Sequence, residues 1–110
     1  MEFNEYQQLA HHNSLETEIG GSTIAYAVMG LLEESGEVAG KIKKLYRDKQ
    51  GITDPEFKEA LVKEMGDVLW YLAGVAKELG ISLGSVAREN ILKLQGRRER
   101  GTIHGDGDDR

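Results

Sequence analysis

Three observations on the sequence predict an all-α protein. Apolar residues recur three or four positions apart over long segments, which is the spacing of one face of an α-helix. No segment alternates apolar and polar residues between hairpin turns, and the single proline lies where a helix can begin. Because helices of unequal length are joined by short connections, we expect an antiparallel four-helix bundle. Such long helices in a small chain leave some apolar surface uncovered, including Trp70, so we also expect a homo-oligomer.

The first predicted helix covers residues 2 to about 13, where apolar residues have a weak helical period. His11 and His12 lie at its end. Since adjacent histidines cannot share one helix face, we expect a partly exposed helix end there and not a pair of ligands. The polar, glycine-ended stretch from Asn13 to Gly21 is predicted to be a connection.

The second and third helices have clear start signals. Ser22 is an N-cap residue for a long second helix that is predicted to reach about Arg47. Asp54 followed by Pro55 combines a capping carboxylate with a proline at the first helical position. We expect this third helix to run to about Leu79.

Gly80 is predicted to stop the third helix, and Ser82 caps a fourth helix that ends near Arg100. The following residues, 102–110, contain three aspartates together with glycines, and we expect a flexible tail or a lid.

Length, composition and charge limit the classes of function that this chain can have. The 110 residues fit one domain, 1–110, and the absence of cysteine excludes disulfides and thiolate metal sites. No apolar run reaches the roughly 18 residues of a membrane span, and no signal peptide is evident, so we expect a cytoplasmic protein. The net charge of −5 argues against binding to a nucleic acid polymer. Clustered lysines and arginines leave local phosphate binding open.

Five carboxylates form the main chemical signal. Glu33, Glu34 and Glu37 lie in the second predicted helix, and Glu64 and Asp67 lie in the third. With about 100° per residue, Glu34 falls on the shoulder of the apolar stripe of its helix and Glu37 about 60° further round. Glu64 falls inside the apolar stripe of the third helix, and Asp67 lies at its edge.

These positions predict a metal site. A carboxylate on an apolar helix face loses hydration, and clustered carboxylates repel one another, so a cation is expected among them. Mg²⁺ is the candidate, since it takes carboxylate oxygens and completes its octahedron with water and phosphate. The alternative is that these residues are ordinary solvated side chains.

The fourth helix carries polar residues on its apolar side. Asn90, Lys93 and Arg97 fall on the same side as its buried-type residues. Lysine or arginine facing a carboxylate-bound Mg²⁺ is the arrangement that a polyphosphate requires. Alternatively, the two cationic side chains extend to solvent while their stems cover the core.

The motif EExxE at 33–37, the motif ExxD at 64–67, the segment Asn90-Ile-Leu-Lys-Leu94 and the Arg100-Gly101 ending together resemble the MazG-like nucleoside triphosphate pyrophosphohydrolases. The resemblance extends from about residue 24 onward. That family belongs to an all-α pyrophosphatase superfamily that also includes dimeric dUTPases and phosphoribosyl-ATP pyrophosphohydrolases. The resemblance implies Mg²⁺-dependent cleavage of a nucleoside triphosphate between its α and β phosphates, which releases the monophosphate and pyrophosphate.

The resemblance also implies site residues. Those that correspond to the metal-binding carboxylates are Glu34, Glu37, Glu64 and Asp67. Lys93 corresponds to a phosphate contact, and Asn90 and Arg97 are further substrate-binding candidates. Tyr71 lies one turn after Asp67, where its ring could stack on base or ribose or could simply belong to the core.

Two rival interpretations of the acidic residues differ in what else they require of the sequence. A di-iron carboxylate bundle requires Glu-x-x-His on two helices, and no glutamate in this sequence is followed by histidine three residues later. A non-catalytic helical interaction protein with a solvated acidic face remains the alternative to an enzyme. The sequence leaves open the base preference and the choice between dimer and tetramer.

Overall fold

The fold is a long helical hairpin with two shorter helices packed beside it. A computed structural model of the chain describes residues 1–12 and 15–110. The helices are α1 (Phe3–Ala10), α2 (Thr23–Lys49), α3 (Pro55–Glu78) and α4 (Leu83–Glu99). The described residues contain no β-strand, which confirms the all-α prediction. None of the helices in those residues is long and apolar enough to cross a membrane.

The predicted N-caps close the starts of the three longer helices. The side-chain oxygens of Ser22, Asp54 and Ser82 each accept a hydrogen bond from the main-chain N–H three residues later, at 3.0, 2.7 and 3.1 Å. Each bond satisfies a donor that the first helical turn leaves without a partner. The helix starts therefore follow from local sequence.

The helix ends lie close to their predicted positions. Helix α1 ends at Ala10, three residues earlier than expected, and the predicted connection begins with two residues outside the described part. Helix α2 reaches Lys49 and is closed by Gln50 and Gly51, whose φ angles of 54° and 76° are left-handed.

The four-helix bundle is not closed within one chain. Helices α2 and α3 make the most extensive contact, and α1 packs on α3 and α4. Within the residues that the structure describes, α4 has no contact with α2. The radius of gyration is 16.8 Å, whereas a compact chain of this length has about 13 Å. The bundle prediction is therefore met only in part by a single copy.

The buried apolar side chains are mostly small. In the described chain the buried ones are Ala27, Leu45, Ala73, Ala76 and Leu83. Large apolar side chains on α2, α3 and α4 are exposed, among them Met29, Leu32, Val62, Met65, Ile91 and Leu92. One copy of the chain therefore leaves much apolar surface in contact with water.

Helix α1 is fixed to the hairpin by a buried amide. The Leu83 N–H donates to Gln7 Oε1 at 2.9 Å, and Gln7 Nε2 donates to the carbonyl of Ile81 at 2.9 Å. These backbone groups lie where α3 ends and α4 begins, so they have no partner in either helix. Gln7 thus joins α1 to the junction of α3 and α4.

His11 packs on Trp70, contrary to two expectations. His11 is only 3% exposed instead of lying at an open helix end, and its ring centroid is 4.4 Å from that of Trp70. Its Nε2 lies 2.7 Å from the Trp70 carbonyl oxygen, so this nitrogen carries the proton and donates. Trp70 is half-buried, so the chain itself covers part of the surface that was expected to remain free. His12 is exposed.

Candidate metal centre

Three carboxylates from two helices converge on one place. Glu34 comes from α2, and Glu64 and Asp67 come from α3. Each offers one oxygen atom, and these three atoms all lie within 4.8 Å of one another. Glu34 and Glu64 are half-buried, whereas Asp67 is exposed. The structure therefore brings together three of the four predicted metal ligands.

The close approach of α2 and α3 depends on a glycine. Gly30 is buried, and a Cβ at this position would overlap the ring of Tyr71. Gly30 lies one turn before Glu34 on α2, and Tyr71 lies one turn after Asp67 on α3. The ring packs directly on the α2 backbone next to the carboxylates, so we expect it to set the spacing between the two helices there.

The carboxylates repel one another. Burial raises the pKa of Glu34, and four neighbouring carboxylates raise it further. In decreasing order of effect these are Asp67, Glu33, Glu64 and Glu37. The negative potential around Glu34 thus opposes its own ionisation, and a bound cation would relieve that opposition.

One lysine offsets part of the negative charge of these carboxylates. Lys41 Nζ lies 3.1 Å from Glu64 Oε1, and both side chains are partly shielded from solvent. Lys41 was not among the predicted site residues. The available signal was its position seven residues after Glu34, which is two helical turns along the same face of α2.

The donor set suits a hard divalent cation. All three donors are carboxylates, and Mg²⁺ is bound in proteins by one or two such groups together with water and substrate phosphate. No nitrogen or sulfur ligand belongs to this group of three, which disfavours softer transition metals. Exposure of Asp67 leaves one side of the group open to a ligand from solvent.

Glu33 and Glu37 lie outside this group of three. Both are exposed on α2, although their charges reach Glu34. Glu37 lies about 60° around the helix from the predicted shoulder position of Glu34, and this rotation turns it toward solvent. Its role as a ligand stays a prediction.

Tyr71 lies beside the carboxylates. A hydrogen bond with the Tyr26 side chain, and then burial, raise the pKa of Tyr71 to about 12, with smaller contributions from the charges of Glu34 and Glu33. Its hydroxyl group therefore stays protonated at neutral pH. The ring is half-buried, and its centroid is 4.9 Å from that of Trp70 in an edge-on arrangement.

The predicted substrate-binding residues of α4 are not at the carboxylates in a single chain. Arg97 is buried, but Asn90 and Lys93 are exposed, so the expectation that all three face inward is wrong for this copy. Lys93 and Arg97 both pair with Asp108. Asn90 and Lys93 instead line a separate groove of about 490 Å³ with Ile81, Ser85, Val86 and Glu89.

A model of the MazG nucleotide pyrophosphohydrolase domain matches residues 22–102. The chain belongs to the MazG nucleotide pyrophosphohydrolase family. The MazG match covers α2, α3 and α4, and with them all three clustered carboxylates. The resemblance seen in the sequence motifs is thereby confirmed.

The chain is also similar to the Gene 37 protein of Mycobacterium phage L5. The two are 46% identical over 87 residues, which cover 79% of this chain and 76% of the phage protein. The name of that relative states no activity. No solved structure matches the chain. Membership of the MazG family supports an enzyme of the pyrophosphohydrolase type that acts on nucleotides.

Proposed function

We propose that the protein hydrolyses nucleoside or deoxynucleoside triphosphates to the monophosphate and pyrophosphate, with Mg²⁺ as cofactor. The observation that carries this proposal is the convergence of Glu34, Glu64 and Asp67 in a chain of the MazG family. We further propose that the protein has a housekeeping role in the cytoplasm, where it acts on the nucleotide pool.

The carboxylates divide into two proposed roles. Glu34, Glu64 and Asp67, with Glu37 as a fourth ligand, hold the cation. When bound, a divalent cation here supplies Lewis-acid polarisation of phosphate oxygens and of water. The proton of the attacking water is accepted by Glu33 or by Glu37, whichever of the two is not fully occupied by the cation. Both carboxylates are exposed beside the group of three.

Other side chains orient the substrate. Lys93 and Arg97 offset negative charge on the pyrophosphate leaving group, and Asn90 donates a hydrogen bond to the nucleotide. The accessible part of the half-buried Tyr71 ring stacks on base or ribose. Because α4 does not contact α2 in the described chain, we propose that a neighbouring copy helps to bring these groups together.

Self-association is supported by an apolar groove next to the carboxylates. The groove has a volume of about 600 Å³, and it includes Ser35, Met65 and Gly66, which adjoin Glu34, Glu64 and Asp67 respectively in sequence. Its remaining lining is formed by Val38, Val62, Val68, Leu69 and Leu72. We propose that a second copy covers this groove in a homodimer or tetramer. Light scattering after size exclusion should give a mass of two or four chains, and a monomer at tens of micromolar would contradict this.

Pyrophosphate release tests the function. The protein is incubated with Mg²⁺ and a panel of ordinary and modified nucleoside triphosphates, and monophosphate and pyrophosphate are measured. We expect equal amounts of the two products and no free orthophosphate, with activity abolished by a chelator. Release of orthophosphate would contradict cleavage between the α and β phosphates. No turnover of any triphosphate would favour the non-catalytic interaction protein.

A further inference from the structure

The segment 102–110 folds back on α4 and places an acidic side chain between two cations. Asp108 Oδ1 lies 3.3 Å from Lys93 Nζ and 3.1 Å from Arg97 Nη2. Arg97 Nη2 also donates to the main-chain oxygen of Asp108 at 2.8 Å. Lys93 and Arg97 are one turn apart on α4, so a single carboxylate reaches both.

The turn of the segment is held by its own contacts. Arg110 Nε donates to the Thr102 carbonyl at 3.0 Å, and Arg100 Nη2 donates to the carbonyl of Arg110 at 2.8 Å. Gly107 precedes Asp108 with a φ of 85°, which side-chain-bearing residues rarely adopt. These contacts direct the Asp108 carboxylate back toward α4.

Arg97 has more donor capacity than the segment uses. It is only 6% exposed, and its Nε is buried without a hydrogen-bond partner in the described chain. A buried guanidinium donor without a partner is unfavourable, and a second oxygen on the same anion would satisfy it. One Asp108 oxygen contacts Arg97 through Nη2 alone. A phosphate group has more oxygens and more charge than this carboxylate.

Asp108 pairs with Lys93 and Arg97 at neutral pH, but a more highly charged anion can displace its carboxylate. Hydrogen bonds from Arg97 and Lys93 lower the pKa of Asp108, so its carboxylate is charged at neutral pH. The Asp108 side chain is nevertheless 83% exposed. Water and salt screen the exposed Asp108 carboxylate and its pair with Lys93, whereas a triphosphate brings several charges to the same two cations.

We propose that segment 102–110 is autoinhibitory: the Asp108 carboxylate takes the place of a substrate phosphate between Lys93 and Arg97, and nucleotide must displace it. This inference rests on the proposed function for the identity of the anion. Nucleotide binding to α4 and the observed position of segment 102–110 are then mutually exclusive.

The test compares Asp108→Asn with Asp109→Asn in the full chain. Both changes remove one negative charge, but in the described residues Asp109 makes no ion pair or side-chain hydrogen bond, so it controls for long-range charge. We expect Asp108→Asn to lower KM for the best triphosphate about three- to tenfold with kcat nearly unchanged, which is the combined effect expected for losing the two ion pairs of one exposed carboxylate. Asp109→Asn should keep KM within about twofold of wild type.

A binding measurement separates this proposal from the proposed function. Calorimetric titration with inorganic pyrophosphate requires no turnover, and Asp108→Asn should bind it more tightly than Asp109→Asn by a similar factor. That result without triphosphate hydrolysis would retain the inhibitory contact and refute the enzymatic proposal. A KM or pyrophosphate affinity equal in the two variants overturns the inhibitory role. A weaker affinity in Asp108→Asn also overturns it and would make segment 102–110 a lid that contacts substrate. Failure of both variants to bind pyrophosphate overturns it as well.

Discussion

Replacing Glu64 by glutamine should abolish turnover while the helical fold remains. The amide keeps the size of the side chain but removes the charge from one of three carboxylates whose oxygens lie within 4.8 Å of one another. Loss of a partner that only orients a metal ligand typically costs 10–100-fold in metal affinity or activity. Loss of a ligand itself should therefore lower kcat/KM by roughly a hundredfold or more. Steady-state pyrophosphate release measures the effect.

The matched control is Glu59→Gln. Glu59 lies on the same helix and is exposed, and it does not belong to the group of three. This variant loses the same charge and should retain wild-type activity within about twofold, because Glu59 is exposed and outside the group of three, so water and salt screen its charge. Circular dichroism should show equal helix content in both variants. Retention of activity by Glu64→Gln would remove Glu64 from the site.

Replacing Gly30 by alanine should destabilise the protein and impair the site together. In a helix interior this change ordinarily stabilises by about 0.5–1 kcal/mol. Here the new methyl group would overlap the Tyr71 ring, and overpacking of this kind typically costs 1–3 kcal/mol. The cost of the overlap should exceed the gain in helix propensity, so we expect a lower melting temperature. The altered spacing of α2 and α3 should also reduce activity.

Two further variants isolate this contact. Gly40 is also in α2, and a Cβ there meets no atom within 4 Å, so Gly40→Ala should leave stability unchanged or raise it. Adding Tyr71→Leu to Gly30→Ala removes the ring that causes the overlap. The double variant should then lose less stability than the two single changes predict together. Simple additivity, or a Gly30→Ala protein as stable as Gly40→Ala, would show that the ring does not set the helix spacing.

Local chemistry made the helix boundaries predictable. Ser22, Asp54 and Ser82 cap their helices through a backbone N–H three residues away, so each signal is complete within a few residues of sequence. The facing of Glu34 toward α3 also followed from the apolar stripe of its own helix. These parts of the structure require no knowledge of distant contacts.

Non-local contacts account for the features that the sequence did not predict. His11 is buried because Trp70 and Gly74, some sixty residues away, provide a surface for its ring. Similarly, the apolar stripe of α4 indicated which side of the helix is apolar but not which helix would cover that side. Within the described chain, α2 does not contact α4. The pairing of Lys93 and Arg97 with Asp108 depends on a turn in segment 102–110 that periodicity does not reveal.

Binding of Mn²⁺ tests the central claim most directly, because this paramagnetic ion substitutes for Mg²⁺ and can be titrated without nucleotide. Free Mn²⁺ is followed by its electron paramagnetic resonance signal in wild type, Glu34→Gln, Glu64→Gln, Asp67→Asn and the Glu59→Gln control. We predict that wild type and Glu59→Gln bind the ion, and that each change within the group of three weakens binding by tenfold or more. Equal binding by all five proteins, or none by wild type, would contradict a metal centre formed by Glu34, Glu64 and Asp67.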